Sequence, residues 1–265
     1  EKYVKKYSKE KIVIKCGGRV LLDPALLNGL IEDVAILKKL GLTPLLVHGG
    51  GLGIKKKSEE LNIKNKFIMG LRVTDNKMIK IVEEVMIKFN KEIVRALDKK
   101  SCKARSVTIK ENNAIYVEQE NKKLGFVGKP KKIEVNILED MITKGFVPII
   151  TPMGLDFKGQ AYNINADIAA GALARSLRSR RLLVVTDVEG VLDKNNKLIT
   201  EINTAQTKKM INDGTIHGGM IPKIKTCINA INHGVRGVVI IDGRKPHSIL
   251  FELFSDQGAG TLIRK

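Results

Sequence analysis

Apolar residues occur in short runs that alternate with segments of helical periodicity. An apolar, β-branched run at 11–15 precedes a glycine pair, and apolar positions over 27–40 then repeat at intervals of three and four. Asp23 and Pro24 are residue types that begin a helix, and Gly41 is the type that ends one. The pattern predicts a strand at 11–15 and a helix that begins near Pro24 and ends before Gly41.

The same unit of helix, glycine and nearly all-apolar strand recurs further along the chain. The predicted strands cover residues 43–47, 146–150, 182–185 and 238–241, and the predicted helices cover 137–144 and 224–233. Strands that are apolar on both faces are typical of a parallel sheet covered by helices. The predicted fold class is therefore α/β, with a mainly parallel central sheet.

The stretch 104–127 differs, because its short segments alternate around Asn112 and Asn113. Paired asparagines favour a turn, so we expect a β-hairpin here. No Pro- or Ser-rich linker divides the chain. We place a change from one lobe to another near 175–181.

Composition and charge narrow the class of protein. The net charge of +19 suits acidic partners such as phosphates, carboxylates, nucleic acid or lipid headgroups. Only 4% of residues are aromatic and none is Trp, so few side chains are available to stack on nucleic-acid bases. A solvated lysine-rich surface is the simpler interpretation of the high charge. Three cysteines without a CxxC pair favour a reducing compartment. Apolar runs far shorter than ~18 residues, and a charged segment at 1–11, predict neither a membrane span nor a signal peptide.

Two glycine turns follow predicted strands. Gly17 and Gly18 follow the first strand, and Gly49, Gly50 and Gly51 follow the second. Glycines let backbone N–H groups approach an anion, and we expect a helix after each turn to offer its N-terminus as well. Ligands of α/β sheets bind beyond the carboxyl ends of strands, so both turns are candidate phosphate contacts. An ordinary tight turn is the alternative for each.

Polar residues near other turns add to this signal. Lys15 ends the first predicted strand, and Lys223 lies in the first turn of a helix that follows a glycine pair. Each could place a positive charge on a phosphate, or be a surface lysine. Asn163, Asn165 and Asp167 precede a helix of small residues, where they could cap the helix or form a polar cluster. The chain contains no GxxxxGK[ST], GxGxxG or GxSxG motif.

Eight short blocks, in one order along nearly the whole chain, resemble a known family. The blocks are KCGG from Lys15, HGGG from His48, GLRVTD from Gly70, GFVG from Gly125, NINAD from Asn163, TDVEGVL from Thr186, GGMIPK from Gly218 and IDGRKPHS from Ile241. Together they resemble the amino-acid kinase superfamily, and the GLRVTD and NINAD blocks favour its N-acetyl-L-glutamate kinase branch over uridylate, aspartate or carbamate kinases. The resemblance implies a three-layer αβα sandwich with two lobes. It also implies the end of an oligomerisation helix at 1–10, an acyl-substrate and dimer-contact lobe at 11–177 and an ATP lobe at 178–265.

The reaction implied by this resemblance is transfer of the γ-phosphoryl group of MgATP to the γ-carboxylate of N-acetyl-L-glutamate, the second step of arginine biosynthesis. The implied catalytic residues are Lys15 and Lys223, which stabilise the transferring phosphoryl group, and Asp167, which holds both ammonium groups. The residues implied to bind the acyl substrate are Gly50, Gly51, Arg72 and Asn163. The residues implied to bind ATP are Gly17, Gly18, Thr186, Asp187, Gly190, Val191 and Met220. Mg²⁺ is expected on the phosphates rather than on protein ligands, and no catalytic base is expected because the attacking carboxylate is ionised at pH 7.

The resemblance extends to regulation and assembly. The C-terminal block is similar to that of an arginine-sensitive subgroup, in which His247, Gln257 and Gly260 would contact the effector. The subgroup carries Glu where this chain has Gln257, and a neutral amide pairs more weakly with a guanidinium, so we expect arginine inhibition that is retained but weakened. Residues 3–10 resemble the end of the subgroup's N-terminal helix, which implies a hexamer built as a trimer of dimers, with a dimer as the alternative. Some relatives also bind a nitrogen-signalling trimer, which is a possible partner here.

Several expectations and alternatives remain open at this point. Cys16 stands where the family usually carries an aromatic residue or leucine, and we expect it to be sensitive to alkylation. The expected location is the cytoplasm, with the plastid stroma as the alternative. Two other functions fit parts of the pattern. One is a sister kinase that forms an acyl phosphate on a related substrate, such as an aminoadipate derivative carried on a protein. The other is a non-catalytic regulatory or nucleic-acid-binding protein of the same fold.

Overall fold

An eight-stranded sheet forms the centre of the molecule in the computed structural model, which describes residues 2–265. The helices are α1 (Lys2–Tyr7), α2 (Pro24–Lys39), α3 (Gly51–Glu60), α4 (Asn76–Lys99), α5 (Val135–Thr143), α6 (Ala166–Ser176), α7 (Thr204–Asn212), α8 (Met220–Asn232) and α9 (Ser248–Phe254). The strands are β1 (Lys11–Cys16), β2 (Thr43–His48), β3 (Phe67–Ile68), β4 (Leu71–Arg72), β5 (Ala104–Val107), β6 (Ile115–Gln119), β7 (Gly128–Ile133), β8 (Val147–Ile150), β9 (Met153–Leu155), β10 (Ala161–Asn163), β11 (Arg181–Thr186), β12 (Glu201–Asn203), β13 (Val238–Asp242) and β14 (Gly260–Arg264). Glu1, the first residue of the segment predicted at 1–10, lies outside the described residues.

The central sheet has the strand order β12-β14-β13-β11-β1-β2-β8-β5. The strands from β13 to β5 run parallel, whereas β14 pairs antiparallel with β13, and β12 is parallel to β14. The predicted mainly parallel sheet is confirmed. From β1 the chain continues to β2 on one side and later returns to β11 on the other. The carboxyl ends of β1 and β11 therefore flank a topological switch point, which is where α/β sheets bind ligands.

Helices cover both faces of this sheet. Residues of α5, α6 and α8 pack with Val13 of β1 on one face, and residues of α2, α4 and α9 pack with Ile12 and Ile14 on the other. Alternate residues of a strand point to opposite faces, so Lys15 shares the face of Val13 and points towards α6 and α8. The predicted three-layer αβα sandwich is confirmed.

The N-terminus of α2 shows how local sequence sets an element's bounds. The carboxylate of Asp23 accepts hydrogen bonds from the backbone N–H groups of Ala25 and Leu26, and Pro24 is the first helical residue. After the last turn, Gly41 adopts φ +85°, the left-handed conformation that glycine tolerates best. The predicted helix start and stop are both confirmed.

The predicted hairpin over 104–127 is wrong. β5 is the edge strand of the central sheet, where it pairs in parallel with β8, and β6 belongs to a separate four-stranded sheet of order β10-β9-β6-β7. A turn does occur at Asn112, which has φ +58°. The strands on either side of it diverge because the apolar residues of β5 complete the central core, whereas β6 pairs antiparallel with β7.

No helix in the described part of the chain is both long enough and apolar enough to cross a membrane.

Candidate active site

Three charged side chains meet beyond the carboxyl end of β1. The Nζ atom of Lys15 lies 2.9 Å from Oδ1 of Asp167, and the Nζ atom of Lys223 lies 3.7 Å from Oδ2 of the same carboxylate. All three side chains are shielded from solvent: Lys15 is 11% exposed, Lys223 is 17% exposed and Asp167 is 18% exposed. The structure thus brings together the three residues predicted to be catalytic, although they come from three distant segments.

Asp167 is held by the first turn of α6. Asn165 caps this helix, because its side chain accepts hydrogen bonds from the backbone N–H groups of Asp167 and Ile168. Burial by itself would raise the pKa of the Asp167 carboxyl, but Lys15 and Lys223 outweigh that effect and lower it below its usual value. The carboxylate therefore stays ionised and keeps both ammonium groups directed at the same point. Of the two alternatives that the sequence left open, Asn165 is the cap and Asp167 belongs to the polar cluster.

The two glycine turns contact each other beside this cluster. The backbone N–H of Gly49 donates to the carbonyl oxygen of Cys16 at 2.7 Å, and a Cβ added to Gly49 would lie 3.4 Å from Cα of Gly17. The Nζ atom of Lys15 lies over Gly17, only 3.3 Å from where a Cβ would be. A side chain on Gly17 would therefore crowd the ammonium group, while the bare turn leaves its backbone open.

The helices expected after the turns are only partly as predicted. α3 begins at Gly51, directly after the second turn, but the first turn leads into a 3₁₀ helix at Gly18–Leu21, and α2 begins only at Pro24. α4 packs close behind the second turn, because a Cβ on Gly50 would lie 2.8 Å from Sδ of Met86. The second turn therefore offers the N-terminus of an α-helix to an anion, and the first turn does not.

A cavity of about 1110 Å³ opens beside the two glycine turns, because Gly18 and Gly51 both line it. It is lined by Gly18, Gly51, Leu52, Lys55, Glu59, Asn62, Ile63, Lys64, Asn65, Lys66, Phe67 and Arg72. The guanidinium of Arg72 donates from Nη2 to the carbonyl oxygen of Gly51 at 3.1 Å and stacks 4.8 Å from the Phe67 ring centroid. Arg72 lines the cavity, whereas its Nη1 atom is buried with no protein partner among the described residues. Burial lowers the pKa of this guanidinium, which nevertheless stays charged because arginine titrates so high.

Asn163 does not line that cavity but is linked to Arg72. Its Nδ2 donates to Oγ1 of Thr74 at 3.3 Å, and this hydroxyl donates to the carbonyl oxygen of Arg72 at 2.9 Å. Thr74 is fully buried. A Cβ on Gly125 would lie only 2.3 Å from the Thr74 carbonyl oxygen, so Gly125 permits this segment to pack. Sequence reasoning gave Thr74 no role, and only its place between two polar candidates could have suggested one.

A second cavity of about 820 Å³ lies beyond β11. Its lining includes the predicted ATP residues Asp187, Gly190, Val191 and Met220, together with Arg244. The remaining predicted ATP residues do not line this cavity: Thr186 ends β11, Gly17 lies in the first glycine turn, and Gly18 lines the first cavity. Arg244 was not predicted; its Nε and Nη2 donate to the two carboxylate oxygens of Asp242 at 2.9 and 2.8 Å. These hydrogen bonds lower the pKa of Asp242 and hold the arginine at the cavity rim.

The predicted effector residues are not all in one cavity. His247 lines a third cavity, of about 700 Å³, together with Phe251 and Gly258, whereas Gln257 is exposed and Gly260 is buried in β14. Nδ1 of His247 lies 2.6 Å from a carboxylate oxygen of Asp33 on α2. The hydrogen bond to Asp33 raises the pKa of His247, while burial raises that of Asp33.

Other titratable groups near the site are shielded. Burial raises the pKa of Cys16 to about 12, and the thiol is fully inaccessible, so the expected sensitivity to alkylation is wrong. Its side chain points to the face opposite Lys15, into the apolar core. In the described part of the chain, no group of three or more His, Cys, Asp or Glu side chains is arranged to hold a metal ion.

Comparison with known proteins gives relatives over the whole length. The sequence profile of the amino acid kinase family matches residues 10–242. An acetylglutamate kinase from Pelagibacter ubique is 57% identical over 265 residues, which cover 100% of this chain and 92% of that protein. An acetylglutamate kinase from Caldanaerobacter subterraneus is 42% identical over 269 residues, covering 99% of this chain and 90% of that one.

Solved structures share the fold at low sequence identity. N-acetylglutamate synthase from Neisseria gonorrhoeae, complexed with coenzyme A and N-acetyl-glutamate, matches 100% of this chain with a TM-score of 0.90 at 22% identity, and this chain spans 61% of that one. Carbamate kinase from Giardia lamblia bound to AMP-PNP matches with a TM-score of 0.69 at 17% identity, covering 98% of this chain and 99% of that one.

Proposed function

The chain belongs to the amino acid kinase family, and we propose that it transfers the γ-phosphoryl group of ATP to the γ-carboxylate of N-acetyl-L-glutamate. The products are ADP and N-acetyl-L-glutamyl 5-phosphate. The observation that carries the proposal is the shielded cluster of Lys15, Asp167 and Lys223, which lies at the topological switch point. The full-length similarity to acetylglutamate kinases supports the choice of substrate.

The charged cluster fits the main difficulty of the reaction. The attacking carboxylate and the phosphoryl group are both anionic, so their approach needs positive charge placed in advance where negative charge develops. Lys15 reaches this point from β1 and Lys223 from the first turn of α8, while Asp167 offsets the repulsion between the two ammonium groups and orients them. A carboxylate nucleophile is already ionised at pH 7, so no general base is required.

The acyl substrate occupies the cavity beside Arg72 in this proposal. The charged guanidinium of Arg72, which lines this cavity, takes the α-carboxylate, and Thr74 links the Arg72 backbone to Asn163. The amides of Gly50 and Gly51, at the N-terminus of α3, contact phosphoryl oxygens from the substrate side. The full-length similarity to acetylglutamate kinases favours N-acetyl-L-glutamate over a carrier-bound aminoadipate.

The nucleotide occupies the second cavity, lined by Asp187, Gly190, Val191 and Met220. Gly17, Gly18 and Thr186 then face its phosphates. Mg²⁺ enters as part of the substrate MgATP, because it retains water and favours phosphate oxygens. The acyl-binding lobe at 11–177 and the ATP lobe at 178–265 meet at the Lys15 and Lys223 ammonium groups.

Regulation and assembly form a finer part of the proposal. L-Arginine binds in the cavity beside His247, with weakened inhibition because Gln257 is neutral and exposed. α1 contacts this end of the chain, since the hydroxyl of Tyr3 bonds to Asp256. In this proposal α1 links dimers into a hexamer. The proposed location of the enzyme is the cytoplasm. A dimer in light scattering would contradict the hexamer. Full activity at millimolar arginine would contradict the arginine inhibition.

The test is a hydroxylamine-trapping assay with MgATP and a panel of acids: N-acetyl-L-glutamate, N-acetyl-L-aspartate, L-glutamate and L-aspartate. Hydroxamate only from N-acetyl-L-glutamate is expected, because an acyl phosphate reacts with hydroxylamine. We expect Lys15→Ala and Lys223→Ala each to lower kcat by roughly 100-fold or more. Lys225→Ala is the matched control, since Lys225 is exposed on the same helix as Lys223. Hydroxamate from no acid would refute the proposal, and near-normal kcat in either variant would remove that lysine from the mechanism.

A further inference from the structure

His48, the last residue of β2, is completely buried beside the second glycine turn. Its Nδ1 lies 3.0 Å from the carbonyl oxygen of Gly49. A carbonyl oxygen only accepts hydrogen bonds, so Nδ1 carries the proton and Nε2 is an acceptor. Burial lowers the pKa of His48 to about 4, which leaves the ring neutral at pH 7. The histidine therefore acts as a directional hydrogen-bond donor to the turn.

Asn90 of α4 contacts the other nitrogen of this ring. Its Nδ2 lies 3.3 Å from Nε2 of His48 and 2.8 Å from the carbonyl oxygen of Ile149 in β8. Both neighbours are acceptors, so the two hydrogens of one amide group serve both. Asn90 is fully buried, in a helix face that is otherwise apolar. The Oδ1 atom of Asn90 is buried with no partner among the described residues. Reversing the amide would place this oxygen against the two acceptors, so the side chain is held in one orientation.

The hydrogen bond to Gly49 also orients the next amide. The carbonyl oxygen of Gly49 and the N–H of Gly50 belong to one trans peptide unit, in which they point in opposite directions. Fixing the oxygen towards His48 thus directs the Gly50 N–H away from the core. On its other side, Gly49 is fixed by its own N–H, which donates to Cys16. Gly50 caps α3, so its N–H has no partner within that helix.

We infer that Asn90 and His48 act as a positioning pair that holds the Gly49–Gly50 peptide so that the Gly50 N–H faces the transferring phosphoryl group. This inference rests on the proposed function, because it gives that amide a reacting group to face. Neither side chain touches substrate. They affect the rate through the Gly50 N–H, because a hydrogen-bond donor stabilises a transition state only when it already points to where negative charge develops.

The pair is tested with Asn90→Leu and His48→Phe, singly and together. Leu keeps the branching of Asn, Phe keeps a planar ring in place of the imidazole, and both substitutions remove the hydrogen bonds. Ile93→Ala is the matched control, since Ile93 is buried on the same helix about one turn after Asn90, but its apolar side chain packs into the core and makes no hydrogen bond to the glycine turn. The readouts are Tm, KM for both substrates, and kcat at a temperature where each variant is folded.

We expect Asn90→Leu and His48→Phe each to lower kcat by about 100-fold, the effect of a small misplacement in a site, with KM for ATP little changed. The double variant should lose no more than the larger single loss. Ile93→Ala should lower Tm and keep its kcat. Losses that multiply in the double variant, or a normal kcat in Asn90→Leu, would overturn the inference.

A second measurement does not depend on activity. The chain has four histidines, so nitrogen-15 NMR of the labelled rings resolves His48, identified by its loss in His48→Phe. The expected signature is a protonated Nδ1 and an unprotonated Nε2, with the Nε2 shift altered in Asn90→Leu but not in Ile93→Ala. A proton on Nε2 would overturn the pair even if the enzyme is active. If Lys15→Ala retains full activity, the proposed site fails instead, and the ring signature still reports on the pair.

Discussion

Replacing Asp167 with asparagine removes the only negative charge of the charged cluster and keeps its shape. At an effective dielectric constant of about 20, Coulomb's law gives about 5.7 kcal/mol for the 2.9 Å contact with Lys15 and about 4.5 kcal/mol for the 3.7 Å contact with Lys223. Desolvation of the three groups offsets most of this attraction. Removing one partner of a buried pair costs roughly 3–5 kcal/mol, because the remaining charges are left uncompensated. We expect about 3 kcal/mol, since the cluster is partly open to water.

For a chain of this size that loss corresponds to a fall in Tm of roughly 6–12 °C. Catalysis should suffer as well: without the carboxylate, the ammonium groups of Lys15 and Lys223 repel each other, and kcat should fall by about 100-fold. Inorganic phosphate should raise the Tm of Asp167→Asn more than that of the unaltered protein, because the variant presents two uncompensated ammonium groups to an anion.

The assays are differential scanning calorimetry, with and without phosphate, and hydroxamate formation. Asp140→Asn is the control, since Asp140 forms an exposed pair with Lys144 at 2.7 Å on the surface of α5. Such pairs contribute about 0–1 kcal/mol. A Tm and a kcat for Asp167→Asn that match those of Asp140→Asn would refute the view that this carboxylate organises the two lysines.

Three further outcomes are expected. Gly125→Ala should lower Tm by several degrees, because a Cβ would lie 2.3 Å from the Thr74 carbonyl oxygen in a backbone of φ +71°; an unchanged melting curve would contradict this. The hydrogen bond to Asp33 raises the pKa of His247, so this stabilisation is complete below the ordinary value of about 6.5 and is lost as pH rises through the folded value. His247→Gln should therefore lower Tm more at pH 6 than at pH 9, and an equal loss at both would count against the ion pair. The three cysteines are buried with raised pKa values, so iodoacetamide should label them only as fast as the chain unfolds.

The regular elements could be predicted because their signals are local. Asp23, Pro24 and Gly41 fix the ends of α2 by capping and backbone conformation, which depend on neighbouring residues alone. The partners of β5 and β6 could not be predicted in this way. Asn112 does turn the chain, but which sheet each strand joins depends on residues far away in sequence, such as those of β8.

The contrast between local signals and long-range contacts also separates the predicted site residues from the residues that position them. Lys15, Asp167 and Lys223 stand in recognisable blocks, and parallel strands bring their ends to one edge of the sheet. Asn90 lies mid-helix, where its sequence neighbours give no sign that its amide reaches His48. Thr74 likewise gains a role only because Asn163 lies within hydrogen-bond distance. Supporting contacts of this kind arise from tertiary packing, which sequence spacing does not contain.

The net charge of +19 is a poor guide to where anions bind. Many lysines lie on the surface, and several are paired there with carboxylates, as Lys100 is with Glu32 at 2.7 Å. Salt screens exposed charges over about 8 Å at physiological ionic strength, whereas shielded charges are screened much less. Lys15 and Lys223 are shielded, converge on one carboxylate and adjoin open glycine turns. In the proposed reaction these two lysines, rather than the overall charge, bring the two anions together. Raising the salt concentration should therefore weaken substrate encounter more than the chemical step.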